Sequence, residues 1–164
     1  MRLVVVEDQE PTLGSSVAHA ERCLENLGVF EHLNAFLCLN PLVLDEAKSV
    51  DRRHEEGEFL PLRGMVVAVK DNIETAGLNT TGGAVALENY VPRRYAFALC
   101  QLKQHGAVVI GKTNLDELAG AGSTLSSLGG QSLNPYDPSL TPAGSSGGSA
   151  IAVAIGACNV ALGT

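Results

Sequence analysis

A glycine- and serine-rich stretch at residues 141–149, with the sequence TPAGSSGGS, runs directly into the apolar segment 150–157. Glycines give the backbone freedom and let other segments approach closely, and the apolar run that follows is typical of a buried helix. A helix that begins at Gly148 or Ser149 would also point unsatisfied N–H groups back at the loop. The stretch therefore predicts a tight loop packed against the start of a buried helix, a setting that can hold a hydroxyl group in a fixed geometry.

Two other interpretations of this loop compete with a catalytic one. A phosphate-binding loop would use the same helix N-terminus, but the order of glycines and serines fits neither the P-loop nor the dinucleotide-binding pattern. A flexible linker is the ordinary interpretation of any Gly/Ser run. The loop taken alone leaves both alternatives open, so the decision depends on the rest of the chain.

A second feature lies upstream, where the short apolar run 65–69 is followed by Lys70, Asp71 and Asn72. The run predicts a buried strand that places an ammonium group at its end. Most lysines in such a position are solvated, because lysine is rarely buried without a partner. Asp71 either orients the Lys70 ammonium or caps a turn.

Four segments together resemble the amidase signature family, and they are residues 62–72, 111–114, 134–136 and 144–149. The resemblance extends from about residue 60 to residue 164 and its motifs are highly specific. In that family a lysine, a serine in a cis peptide and a second, nucleophilic serine form the catalytic triad. The resemblance implies that Lys70 is the lysine and Ser145 the cis serine. The residues that it implies as support for the loop and the substrate are Gly144, Ser146, Gly147 and Gly148.

The same resemblance places the nucleophile in a stretch similar to Asp-Thr-Gly-Gly-Ser, which follows a Leu-Gly-Thr strand end. In this sequence Leu162, Gly163 and Thr164 are the last three residues. We therefore expect the nucleophilic serine and the oxyanion-hole donors to lie outside the 164 residues. We also expect this chain by itself to be inactive in serine-dependent amide turnover.

The implied chemistry is hydrolysis of carboxylic amides, with a small-molecule amide as substrate and no cofactor or metal. Lys70 can act as a base only if its pKa falls from about 10.4 towards 7, which burial in a cleft can achieve. Ser145 would then relay a proton between the nucleophile and Lys70, which requires the Lys70 nitrogen and the Ser145 hydroxyl to lie within about 2.6 to 3.2 Å. The three alternatives left open are a general amidase, which we favour, the A subunit of glutamyl-tRNA(Gln)/aspartyl-tRNA(Asn) amidotransferase with its partner subunits, and a non-catalytic product of a truncated or split gene.

Composition argues against several other classes of protein. The net charge of -7 and a pI of about 5.0 argue against a broad nucleic-acid-binding surface, which normally requires clustered lysines and arginines. No run reaches the about 18 to 20 apolar residues of a membrane span, so no membrane association is predicted. The four histidines are scattered without the spacing of metal ligands. The four cysteines are widely spaced among apolar residues, which indicates buried thiols and a reduced, cytoplasmic location; they are Cys23, Cys38, Cys100 and Cys158.

Hydrophobic patterning predicts that helices and strands alternate. Helical spacing occurs at residues 16–28, 41–50 and 95–105, and short apolar runs typical of strands occur at residues 33–39, 65–69, 107–110 and 160–162. Residues 2–6 are either an edge strand or an irregular start, and residues 75–83 and 120–140 are predicted as loops. The fold class is α/β, a mixed sheet with crossover helices, and the resemblance makes it the N-terminal part of an amidase signature domain.

We divide the chain into residues 1–59, an N-terminal helical segment with one strand, and residues 60–164, a partial amidase signature domain. In the second helix Asn40 is predicted as the cap and Pro41 as the first residue. The residues of that helix predicted to face inward are Leu42, Leu44, Ala47 and Val50.

Asn114 and Glu117 have the spacing of a capping box for a short helix that ends at residue 118 or 119. We interpret Asp116 and Glu117 as structural residues that complement the helix dipole, not as a pair of catalytic acids.

Overall fold

The computed structural model describes residues 14–164, so the segment 2–6 lies outside the described residues. Helices α1 to α4 span Ser16–Val29, Val43–Glu55, Phe97–Gln104 and Gly147–Ala154. Strands β1 to β6 span Phe36–Leu39, Val66–Lys70, Val108–Thr113, Leu125–Ser126, Gly130–Gln131 and Val160–Leu162. No helix within residues 14–164 is long and apolar enough to cross a membrane.

A four-stranded mixed sheet forms the centre of the fold, which confirms the predicted class. Its strand order is β1-β3-β2-β6, with β1 antiparallel to β3 and with β2 parallel to both β3 and β6. Lys70 of β2 stands beside Thr113 of β3, and Val69 stands between Lys112 and Leu162. Because the three parallel strands end at one edge, the segments that follow Lys70, Thr113 and Leu162 meet there.

Helices cover both faces of this sheet. Alternate residues of β2 and β3 point to a face covered by α1, α2 and α4, where Ala68 and Ile110 belong to the larger core cluster. The other residues, such as Val67 and Val109, pack with Leu99 of α3. Strands buried on both faces have continuous apolar sequences, which is why the sequence pattern located β2 well. The predicted division at residue 60 stays a prediction.

The second helix begins at Val43, not at Asn40 and Pro41 as predicted. Asn40 is attached to β3 instead: its backbone N–H donates to the carbonyl of Ile110 and its side-chain amide donates to that of Val109, both at 2.8 Å. Leu42 therefore lies before the first helical residue and is 58% exposed, and Val43 is buried in its place. Of the residues predicted to face inward, Ala47 and Val50 are buried, and Leu44 is partly buried against the core.

The predicted capping box is wrong, because Asn114 serves a different purpose. Its side-chain oxygen accepts hydrogen bonds from the backbone of Leu115 and the hydroxyl of Ser126, and its amide donates to Ser132 Oγ at 3.0 Å. Only a single helical turn, Glu117–Ala119, follows. The segment predicted as loop from residue 120 to 140 contains the short hairpin β4-β5.

Asp51 of α2 joins the start of α1 to the rest of the domain. Its carboxylate accepts hydrogen bonds from the Ser15 hydroxyl at 2.7 Å, the Ser16 backbone at 2.9 Å and Arg63 Nε at 3.1 Å. Burial opposes ionisation, but these hydrogen bonds outweigh it and hold the pKa of Asp51 well below its usual range. A carboxyl group with a lowered pKa in the folded state stabilises the fold above its unfolded pKa of about 3.9 and loses that contribution as the pH falls.

We therefore expect acid to destabilise the protein partly through Asp51. Between pH 6 and pH 2 the free energy of unfolding, measured with urea, should fall by about 1 to 3 kcal/mol more in the wild type than in Asp51→Asn. Asp45→Asn is the control, since Asp45 lies on the same helix in an exposed pair with Lys48. Equal pH dependence in the wild type and Asp51→Asn would contradict the assignment.

Candidate active site

Lys70 and Ser145 meet at the edge of the sheet where the parallel strands end. Lys70 is the last residue of β2 and is fully buried. Its ammonium nitrogen donates a hydrogen bond to Ser145 Oγ at 2.7 Å, across 75 positions of sequence. The peptide between Gly144 and Ser145 is cis. The expected contact and the expected cis peptide are both confirmed, and the linker interpretation of the loop, which predicts no such contact, is wrong.

The environment of Lys70 shifts its protonation equilibrium towards the neutral form. Burial lowers the pKa of this lysine, and the nearby carboxylate of Asp116 opposes the shift only in part. An ammonium group removed from water loses its hydration, so the charged form is disfavoured. A larger fraction of Lys70 is therefore neutral near pH 7 than of a solvated lysine, which is the requirement for a base.

Thr124 holds the two ends of the serine loop together. Its fully buried hydroxyl donates to the carbonyl of Ala143 at 2.5 Å and accepts from the backbone N–H of Gly147 at 3.1 Å. Between these points the carbonyl of Ser145 accepts from the backbone N–H of Asp116 at 3.2 Å. The loop is thus fixed before, at and after Ser145.

Asp116 in turn holds the segment that carries Thr124. Its carboxylate accepts hydrogen bonds from the backbone N–H groups of Ser123 and Thr124, at 3.0 and 2.9 Å. Asp116 is therefore structural, as predicted, but it organises this loop and makes no side-chain cap to the short helix that follows it. Glu117 likewise accepts from the backbone of Ser127 at 2.7 Å.

Close approach explains the glycines of the loop. A Cβ atom at Gly144 would collide with the Asp116 carboxylate, and one at Gly147 would collide with the side chain of Thr124. At Gly148 a Cβ would lie 2.6 Å from the carbonyl oxygen of Ala35. The three predicted supporting glycines are thus the positions where neighbouring segments reach the loop backbone.

Thr164 is a member of the site that sequence reasoning missed. Its hydroxyl accepts hydrogen bonds from Lys70 Nζ at 2.7 Å and from the Asn72 side chain at 3.2 Å. The hydroxyl of Ser146 donates to the Thr164 carbonyl and accepts from its N–H, at 3.1 and 3.2 Å. The sequence signal for Thr164 was the strand predicted at residues 160–162, which ends two residues before it, whereas Thr124 lies in an irregular loop that gave no signal.

Asp71 makes no hydrogen bond or ion pair with Lys70 among the described residues, so of the two alternatives left open for it the contacts favour the turn. Among the described residues, its carboxylate contacts Lys112 Nζ at 3.3 Å and the backbone N–H of Thr81 at 2.9 Å, together with the Thr81 hydroxyl. Asp71 therefore fixes the turn after β2.

A cavity of about 590 Å³ opens beside this turn, with Asn34, Cys38, Asp71 and Glu88 in its lining, and Lys70 and Ser145 are not part of it. Within residues 14–164 no group of three or more histidines, cysteines, aspartates or glutamates is placed to hold a metal ion.

Comparison with known proteins places these residues in context. Residues 20–164 match the family model described as Amidase. The A subunit of the glutamyl-tRNA(Gln) amidotransferase from Thermus thermophilus is 52% identical over 132 residues, which are 80% of this chain and 27% of that protein. The chain thus spans less than a third of the length of this curated relative.

The chain is also similar in fold to solved structures of a peptide amidase and of an amidotransferase A subunit. The native peptide amidase of Stenotrophomonas maltophilia superposes with a TM-score of 0.86 at 39% identity, over 90% of this chain and 32% of that one. The A subunit of the glutamyl-tRNA(Gln) amidotransferase from Thermotoga maritima superposes with a TM-score of 0.74 at 34% identity, over 90% and 30% of the two chains.

Proposed function

Because this chain belongs to the amidase family, we propose that it supplies two members of a Ser-cisSer-Lys triad that cleaves carboxylic amides, with Lys70 as the base and Ser145 as the relay. The observation that carries the proposal is the 2.7 Å contact between Lys70 Nζ and Ser145 Oγ. The lowered pKa of the buried Lys70 supports it, since only a neutral amine accepts a proton.

The proposed mechanism is a proton relay. The nucleophilic serine gives its proton to Ser145 Oγ while Ser145 passes its own proton to Lys70 Nζ, and the nucleophile's oxygen attacks the amide carbonyl carbon. The Lys70 ammonium then returns a proton through Ser145 to the leaving nitrogen. The carbon–nitrogen bond breaks, and water hydrolyses the acyl-enzyme that remains. We place the nucleophile outside residues 1–164, because the stretch similar to Asp-Thr-Gly-Gly-Ser is not in this sequence. The 164 residues alone would then not turn over amides.

The test is a chimeric enzyme, called here the amidase graft, in which residues 20–164 replace the matching segment of the Stenotrophomonas peptide amidase. We expect the amidase graft to hydrolyse amides and Ser145→Ala to lower its kcat/KM by at least about 1,000-fold, as removal of a triad member does. Ser139→Ala is the matched control, since the Ser139 hydroxyl donates to Asp137 in an exposed turn. A folded graft that works equally well with Ser145→Ala would refute the proposal.

A second candidate is the A subunit of a glutamyl-tRNA(Gln) amidotransferase, which would act with partner subunits and pass the released ammonia to an acceptor. The observation that favours it is the name shared by curated relatives at 52% and 48% identity. The same residues grafted into the Thermus protein should then support glutamine-dependent amidation of glutamyl-tRNA(Gln), whereas the amidase graft should fail. The opposite pair of results would favour the general amidase.

A cytoplasmic location fits either candidate. Cys23, Cys38, Cys100 and Cys158 are all free thiols, of which Cys23 and Cys158 are buried and the other two half-buried. Unpaired cysteines are typical of a reducing compartment.

A further inference from the structure

Lys112 is a fully buried charged residue that the proposed mechanism does not use. It lies near the end of β3, beside Val69 of β2. Its ammonium donates hydrogen bonds to the carbonyl of Ile73 at 2.9 Å and to Thr80 Oγ1 at 2.7 Å, and it lies 3.3 Å from Asp71 Oδ1. An ammonium group is tolerated in a protein interior only with such a set of partners.

All three partners belong to the segment that follows the proposed base. Ile73 closes a tight turn, because its backbone N–H donates to the carbonyl of Lys70 at 2.9 Å. Lys112 holds the other side of that turn through the Ile73 carbonyl. Asp71 extends the connection, since its carbonyl accepts from the backbone N–H of Gly82 at 3.1 Å.

The pairing with Asp71 makes Lys112 necessary to this turn. Within residues 14–164, Asp71 Oδ1 is a buried oxygen that accepts no hydrogen bond, so the ammonium of Lys112 is what balances it. Burial lowers the pKa of Lys112, and the Asp71 carboxylate opposes that shift. Removing the ammonium would leave a buried carboxylate without its counter-ion and a carbonyl without its donor.

We propose that Lys112 is a positioning residue, whose ammonium holds the turn at residues 71–73 and thereby keeps Lys70 Nζ against Ser145 Oγ. The inference rests on the proposed function, because Lys70 is the base of the reaction under that proposal. The competing view is that the Lys112–Asp71 pair only stabilises the interior and has no effect on the state of Lys70.

The experiment titrates Lys70 directly in the 164-residue chain. Lys48, Lys70, Lys103 and Lys112 are the lysines of the sequence, so a sample with ¹³C-labelled lysine gives few side-chain signals, and Lys70→Met identifies that of Lys70. In Lys112→Met we expect the titration midpoint of Lys70 to rise by about one pH unit towards the ordinary lysine value, because the loosened turn admits water. The backbone amide of Ile73 should exchange with solvent at least about tenfold faster.

Lys103→Met is the matched control, since it removes an ammonium that pairs with Glu46 at 2.6 Å and lies over the Tyr95 ring, and it should change neither readout. If Lys112→Met does not fold, Thr80→Val removes a single partner of Lys112 and should move both readouts in the same direction by less. A folded variant in which Lys70 titrates and Ile73 exchanges as in the wild type would overturn the inference. Neither measurement needs turnover, so an inactive amidase graft would count against the proposed function and leave this result standing.

Discussion

Lys70→Met is expected to lower kcat/KM of the amidase graft for amide hydrolysis by about four orders of magnitude, the range found when a member of a catalytic triad is removed. Methionine keeps the apolar stem of the side chain and loses only the amine, so packing at the end of β2 should survive. The amine is the group that contacts Ser145 Oγ and Thr164 Oγ1 at 2.7 Å each.

The pH dependence of the unsubstituted graft should identify the titrating group. Activity that needs neutral Lys70 rises with pH, and because burial lowers the pKa of Lys70, the rise should finish below the pH range of an ordinary lysine. Lys48→Met is the matched control, since Lys48 is exposed and, within residues 14–164, pairs with Asp45 alone. A loss of less than about tenfold in Lys70→Met would exclude Lys70 as the base, because general bases contribute more than that.

The largest effect on stability is expected for Gly148→Ala. The new methyl group would lie 2.6 Å from the carbonyl oxygen of Ala35 and 2.7 Å from the backbone nitrogen of Asn114. Both neighbours are backbone atoms, so no side-chain rotation can relieve the overlap. We expect the free energy of unfolding to fall by about 3 kcal/mol or more, at the upper end of what overpacking costs.

Gly28→Ala is the matched control for that experiment. Gly28 lies in α1 with nothing within 4 Å of its added Cβ atom, so alanine there should stabilise the protein by about 0.5 to 1 kcal/mol. Urea titrations of the three proteins at pH 7 measure both changes. If Gly148→Ala were as stable as the wild type, the tight packing of α4 against the sheet would be wrong.

The patterns that predicted the fold well were those in which one local signal dominates. Residues 66–70 are a strand because their run is buried between helices, and α1 follows from its amphipathic spacing. The start of α2 was missed because tertiary contacts of Asn40 with β3 outweigh its local preference for a helix cap. A local pattern carries no information on such contacts.

The same limit applies to the site. Lys70 and Ser145 were located through motifs, since nothing in residues 71–144 predicts that the two ends meet. Thr124 was missed because a threonine in an irregular loop resembles any other surface residue until its two hydrogen bonds across the serine loop are seen. Lys112 lies in the motif segment 111–114, and only the fold shows that its charge is buried.

The two hydrogen bonds of the Thr124 hydroxyl across the serine loop have a consequence for how the sequence of this region can change in evolution. Because this hydroxyl and Asp116 fix Ser145 locally, the position of the serine does not depend on the length of the connection between residues 137 and 142. Residues 138–141 of that connection are exposed, as is Tyr136. Insertions and deletions are best tolerated in exposed loops of this kind. Residues 138–141 are therefore free to drift in length and sequence over evolutionary time, while the lysine and the serine stay in register.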